Sequence, residues 1–331
     1  MKGLGKIMKW ILLGGAALIG IIIAGAILLL LFAGYKNENY WKYTDAKGEI
    51  EKEYAALGSY EVEYAEFDAE SDVWQKYEVF YPSNIETSDE KYPMVIMANG
   101  TGIKASQYEA VLKHLASWGF IVVGNEDENS RTGASSAATL DFMLAQNEDE
   151  NSVFYGHIDT DNIGIAGHSQ GGVGAINAVT NQENGRYYKT IFSISATSRF
   201  HANELNKSGD GWNIEPSKIN IPCAMIAGTG LFDAGNIYQY QEVLAEGEAQ
   251  GICPLWWLEE CYHAIPNNNT KVIARQKSKD HGDMLRSADG YMTAWFMYWL
   301  QGDEEAGKAF FGENAEIKIN ENWKEVQTNG Q

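Results

Sequence analysis

Gly167-His168-Ser169-Gln170-Gly171 has the spacing of a nucleophile elbow, a serine held between two glycines on a sharp turn from strand to helix. Five residues of this kind arise by chance fairly often, so the surroundings decide. The short, largely apolar run at 162–166 leads straight into the motif, and Gly171, Gly172, Gly174 and Ala175 open a small-residue helix directly after it. A turn of this kind forces the serine into strained backbone and tolerates only small neighbours, which Gly167 and Gly171 supply. The hydroxyl then stands beside a helix N-terminus, where partial positive charge favours a developing oxyanion. The competing reading is a glycine-rich turn with an incidental serine.

A serine hydroxyl needs a base, and the base needs an orienting carboxylate. In this strand–turn–helix setting the chain order is serine, then acid after a late strand, then histidine. Asp233 follows the apolar strand at 222–227 across Gly228-Thr229-Gly230-Leu231-Phe232, and is the acid of choice over a plain helix cap. Of six histidines, His114 and His157 precede the elbow, His168 lies within it and His201 precedes the acid. His281 stands in a loop after the strand at 271–275, where the base belongs; His263 stands before that strand and reads as a solvated loop residue. An oxyanion hole takes two backbone N–H groups, one from Gln170 and one from Asn99-Gly100-Thr101-Gly102, with Thr101 preferred and Gly102 the competitor.

These residues need a scaffold that brings them together. Residues 60–67 and 73–81 read as an antiparallel pair opening a sheet. The runs at 93–98, 120–124, 162–166, 189–195, 222–227 and 271–275 read as further strands, the first two as strands buried on both faces. Helical spacing fills the gaps: a helix capped by Ser106 and closed by Gly119, then helices at 134–146, 171–180, 237–247 and 289–300. Strands alternating with such helices predict an α/β fold, a mainly parallel central sheet with helices on both faces.

Lys2, Lys6 and Lys9 precede an uncharged apolar run at 10–33, long enough to span a bilayer and too long for an ordinary signal-peptide core. The lysines place the N-terminus in the cytoplasm and the rest of the chain outside; the alternative is a signal cleaved near Ala33 and Gly34, releasing a secreted protein. The organisation is therefore a membrane anchor at 1–34, a polar stalk at 35–57, a catalytic domain at 58–312 and a charged, peripheral tail at 313–331. The formal net charge of −20 argues against nucleic acid as a partner, since phosphate binding takes clustered Lys and Arg. Cys253 and Cys261 are spaced to close a short loop in an oxidising compartment, with Cys223 left as a buried thiol; three unpaired apolar residues is the equal alternative.

Several stretches resemble one protein family. Met97-Ala98-Asn99-Gly100-Thr101, followed by Leu115-Ala116-Ser117-Trp118-Gly119-Phe120, is similar to the cutinase-like polyester hydrolase branch of the α/β-hydrolase superfamily, which also holds dienelactone-hydrolase-like and platelet-activating-factor acetylhydrolase-like enzymes. Ile158-Asp159, the elbow, Pro222-Cys223-Ala224-Met225-Ile226-Ala227-Gly228 and the His281 loop extend the likeness over roughly residues 79–302. The resemblance implies an α/β-hydrolase fold and a serine esterase with Ser169, His281 and Asp233 as its triad, a shallow cleft for a small or polymeric ester, and no metal or organic cofactor. Threonine at 101 departs from the aromatic residue common there, and the polar stretch at 196–216 reads as a flap. An amidase, peptidase or acyltransferase uses the same triad, and a binding protein on an inactive hydrolase fold is the alternative outside enzymes.

Overall fold

Val95, Ile96, Val122, Val123, Ile163 and Ile165 are all buried, as expected of strands covered on both faces. The structure, a computed structural model, describes residues 2–207 and 209–330, with the backbone alone for residues 2–18 and 20. Among the described residues nine strands form one sheet: β1 (Val62–Asp68), β2 (Lys76–Pro82), β3 (Tyr92–Ala98), β4 (Ile121–Asn125), β5 (Ile158–His168), β6 (Tyr188–Ile194), β7 (Cys223–Gly228), β8 (Lys271–Gln276) and β9 (Trp323–Thr328). Their spatial order is β1-β2-β4-β3-β5-β6-β7-β8-β9. The six strands from β4 to β8 run parallel, while β1–β2, β2–β4 and β8–β9 pair antiparallel.

The helices among the described residues are α1 (Lys2–Glu38), α2 (Glu49–Ala55), α3 (Glu109–Ala116), α4 (Ala134–Glu148), α5 (Gln170–Asn181), α6 (Arg199–Leu205), α7 (Leu231–Ala234), α8 (Leu255–Ala264), α9 (Met284–Ser287), α10 (Asp289–Phe296), α11 (Glu304–Gly307) and α12 (Glu316–Ile319). Alternation along the strands sorts the core. Met94, Ile96, Ile163, Ile165 and Met225 join Leu140 and Met143 of α4, Val173 and Ile176 of α5, and Leu258 of α8 in one cluster. On the opposite face Phe192 meets Trp295 and Phe296 of α10, and the Trp295 indole donates to Thr190 Oγ1 at 2.7 Å. The expected mainly parallel sheet with helices on both faces is what the chain forms.

The chain falls into two compact units, parting between Tyr43 and Thr44. In the first, α1 contains the window Ile21–Glu38, which by length and composition suffices to cross a membrane, a measure that a signal sequence also meets. The side chains of residues 10–18 and 20, part of the predicted span, lie outside the described residues.

Four expectations are corrected. The folded unit takes in residues 44–57, assigned to a stalk: α2 buries Tyr54 among its neighbours, and the Glu316 carboxylate accepts from the N–H groups of Ile50 and Glu51. The tail beyond 312 is not peripheral, because β9 closes the sheet against β8. Ser106 does not cap α3; its hydroxyl donates to Glu126, and Tyr108 stands at the cap position. Residues 237–247 form no helix, and α8 lies just beyond them. Asn236 explains this loop: its amide donates to the Gly247 carbonyl and accepts from Ala249 N–H, both at 2.6 Å, folding the segment back on itself. The guanidinium of Arg199 lies 3.8 Å from the ring centre of Tyr240 and holds the loop against α6.

Candidate active site

β5 ends at His168 and α5 begins at Gln170, leaving Ser169 alone on the turn between them. Its φ of 61° and ψ of −122° are unfavourable for a side-chain-bearing residue. Two glycines make this turn possible. A Cβ on Gly167 would stand 2.1 Å from the Gly171 carbonyl oxygen, and one on Gly171 would stand 2.0 Å from that of Ala98. The strain is held by a hydrogen bond from Ser169 N–H to the Ile194 carbonyl at 2.8 Å.

Asp233 lies on α7, five residues beyond the end of β7, and is fully buried. Burying a carboxylate is costly unless its oxygens are hydrogen-bonded. One oxygen, Oδ2, accepts from Gly228 N–H at 2.7 Å and from Ser195 Oγ–H at 2.6 Å. The other, Oδ1, lies 2.7 Å from His281 Nδ1, and His281 Nε2 lies 2.9 Å from Ser169 Oγ. With the carboxylate accepting from Nδ1–H, the Nε2 lone pair is left facing the serine hydroxyl. The structure thus brings Ser169, His281 and Asp233 into one hydrogen-bonded chain from three separate strand ends.

In the loop at 99–102 the Gly102 N–H is engaged, donating to the Glu128 carbonyl at 3.1 Å. The start of that loop is braced by Asn99, whose amide donates to the carbonyls of Asn125 and Asp127 at 2.7 and 2.8 Å. Ser130 Oγ donates to the Asn99 carbonyl at 2.6 Å, and Tyr108 donates to the Asn99 side chain. Gln170 opens α5 with its N–H at the helix start, but its side-chain amide is buried and finds no hydrogen-bond partner among the described residues.

The place of His168 within the elbow motif does not disclose what its ring touches. Its Nε2–H donates to the His281 carbonyl at 2.7 Å, and the two ring centres lie 4.7 Å apart. Burial, aided by the neighbouring His281, pulls the His168 pKa down to about 4, so the ring is neutral at ordinary pH. Ser195, at the end of β6 with φ of 49°, was also missed; a polar residue closing a strand carries no signal of its own. The other histidines are engaged elsewhere: His114 with Asp289, His157 with the Glu90 carbonyl and His201 with that of Gln250. His263 lies in the last turn of α8, not in a loop. Cys223, Cys253 and Cys261 are all buried and free, so of the two equal readings it is the unpaired one that the chain adopts and not the short disulfide loop; burial pushes the Cys223 thiol up to about 12. Among the described residues no group of three or more His, Cys, Asp or Glu is placed to hold a metal ion.

The sheet order and an elbow between its fifth strand and the following helix define an α/β-hydrolase architecture. Within that class, a family model described as PET hydrolase-like matches residues 49–200, bearing out the resemblance to polyester hydrolases and pointing to an ester hydrolase of the α/β-hydrolase type. The matched stretch holds Thr101, Ser169 and Gln170 and ends before Asp233 and His281. No curated protein matches the chain.

Proposed function

We propose that the protein is a serine esterase that cleaves carboxylic esters through an acyl-enzyme on Ser169. The observation that carries this reading is the chain of hydrogen bonds from Asp233 Oδ1 through the His281 ring to Ser169 Oγ, at 2.7 and 2.9 Å. Ser169 Oγ attacks the ester carbonyl while His281 Nε2 takes its proton, and Asp233 stabilises the imidazolium that forms. Negative charge on the former carbonyl oxygen is met by the N–H groups of Thr101 and Gln170. As the intermediate collapses, the C–O bond to the alcohol breaks and His281 protonates the departing oxygen. Water, deprotonated by His281, then attacks the acyl-enzyme, and the acid leaves with Ser169 restored.

The same reading sets this chemistry outside the cytoplasm, tethered by the apolar run at 10–33. What supports it is the length of that run, the lysines before it and the exposure of the apolar side chains Ile21, Ile22, Ile23, Leu28, Leu29 and Leu30. Fractionation of cells expressing the whole chain tests it: activity that stays with membranes after a high-salt wash supports the tether, and activity wholly in the medium contradicts it.

The esterase reading is tested by comparing p-nitrophenyl esters with anilide and peptide substrates, using the wild-type chain and Ser169→Ala. Ester turnover that falls by several orders of magnitude in the variant is expected. Undiminished hydrolysis by Ser169→Ala, or a preference for amides, would overturn it.

A further inference from the structure

The loops that carry Asp233 and His281 touch each other at a second carboxylate, Asp280. Its Oδ1 accepts from His281 N–H at 2.8 Å and from Asp233 N–H at 3.0 Å, and its Oδ2 lies 3.2 Å from Phe232 N–H. One side chain therefore binds the main chain of the acid and the main chain of the base at once. The contact is tight enough to dictate sequence: a Cβ on Gly230 would stand 2.3 Å from the Asp280 carboxyl carbon, and one on Gly228 would stand 2.3 Å from the Lys279 carbonyl oxygen. Gly230 N–H also donates to that Lys279 carbonyl at 2.8 Å.

Charge-assisted bonds of this kind are roughly twice as strong as neutral ones. Although burial opposes the charge, the N–H groups of His281, Asp233 and Phe232 hold the Asp280 carboxyl below its usual range. The opposite end of the His281 residue is held too, since its carbonyl accepts from His168. The imidazole is thus fixed through the backbone of its own residue, on one side by a neutral ring and on the other by an anion shared with Asp233.

We propose that Asp280 is a positioning residue that sets the distance between the triad acid and base; this rests on the triad reading above. It touches neither substrate nor reacting atoms. Its contribution is to keep Asp233 Oδ1 and His281 Nδ1 in register as charge moves onto the imidazole. An error of about 1 Å in such a site is worth about a hundredfold in rate.

The test uses the full chain carrying Asp280→Ala or Asp280→Asn, with rates expressed per active site by fluorophosphonate titration. Unfolded molecules then drop out of the comparison. Asp280→Ala is expected to lower kcat by about 10- to 100-fold with KM changed little. Asn keeps an acceptor oxygen for the Asp233 and His281 N–H groups, and should recover a large part of the loss. The proposal is overturned if kcat per titrated site in Asp280→Ala stays within twofold of wild type, or if Asn recovers nothing. If Ser169→Ala still hydrolyses the ester, the triad reading itself has failed, a result distinct from either.

Discussion

Gly171, the residue that closes the elbow, passes so near Ala98 at the end of β3 that a single methyl group at 171 would stand 2.0 Å from the Ala98 carbonyl oxygen. At this point the strand before the proposed oxyanion loop and the helix after Ser169 meet backbone to backbone. Gly171→Ala must therefore push the loop bearing Thr101 away from Ser169. Overpacking of this kind costs about 1–3 kcal/mol in stability, and the displaced donor lowers kcat by about a hundredfold. Gly100 is the control: a Cβ there meets nothing nearer than 3.5 Å, so Gly100→Ala should stay within a few-fold of wild type. Thermal melts and kcat for the pair decide the matter, and equal effects from the two would refute it.

Gln170 contributes its N–H to the proposed oxyanion hole, while its buried amide group lacks a partner. An unsatisfied buried polar group costs about 1–3 kcal/mol. Gln170→Leu removes the amide and leaves the main chain, so the variant should melt higher than wild type and keep short-ester turnover within a few-fold. A lower melting temperature would mean the amide is satisfied in solution.

His114 is buried with Nδ1 at 2.7 Å from Asp289 Oδ2 and Nε2 at 2.8 Å from the Ala56 carbonyl. Burial works against its charge, but Asp289 and the carbonyls of Ala56 and Ala55 outweigh it and raise its pKa. A histidine raised in the folded state adds stability that is complete below its unfolded value of about 6.5 and is lost as pH rises through the higher folded value. The melting-temperature gap between wild type and His114→Gln should therefore be widest near pH 6 and narrow as pH rises through the raised folded value. A gap that widens with pH contradicts the assignment. The consequence is structural, because the Ala55 and Ala56 carbonyls belong to the end of α2.

Much of this site was legible because its constraints are local. The glycines flanking Ser169 and the strand before it follow from backbone geometry that leaves a mark in sequence, whereas Asp233 and His281 are singled out by the chain order of this fold class. What escaped depends on partners distant in the chain. Residues 237–247 carry apolar side chains at helical intervals, yet Asn236 and Arg199 hold them in a loop. β9 is an edge strand with Lys324, Glu325 and Gln327 among its residues, so its polarity read as a tail. α2 is too short to announce itself, and it is fixed by Glu316, more than 260 residues away. His168 reads as a residue within the elbow, and its tie to the His281 carbonyl spans 113 residues.

The central claim is that Ser169 is the nucleophile, activated by His281. Intact-mass and peptide mapping after reaction with a fluorophosphonate tests it most directly. A single adduct on the peptide holding Ser169, slowed by several orders of magnitude in His281→Ala and absent in Ser169→Ala, is the predicted result. An adduct on another residue, or a folded, ester-cleaving protein whose Ser169 stays unlabelled, would contradict the account.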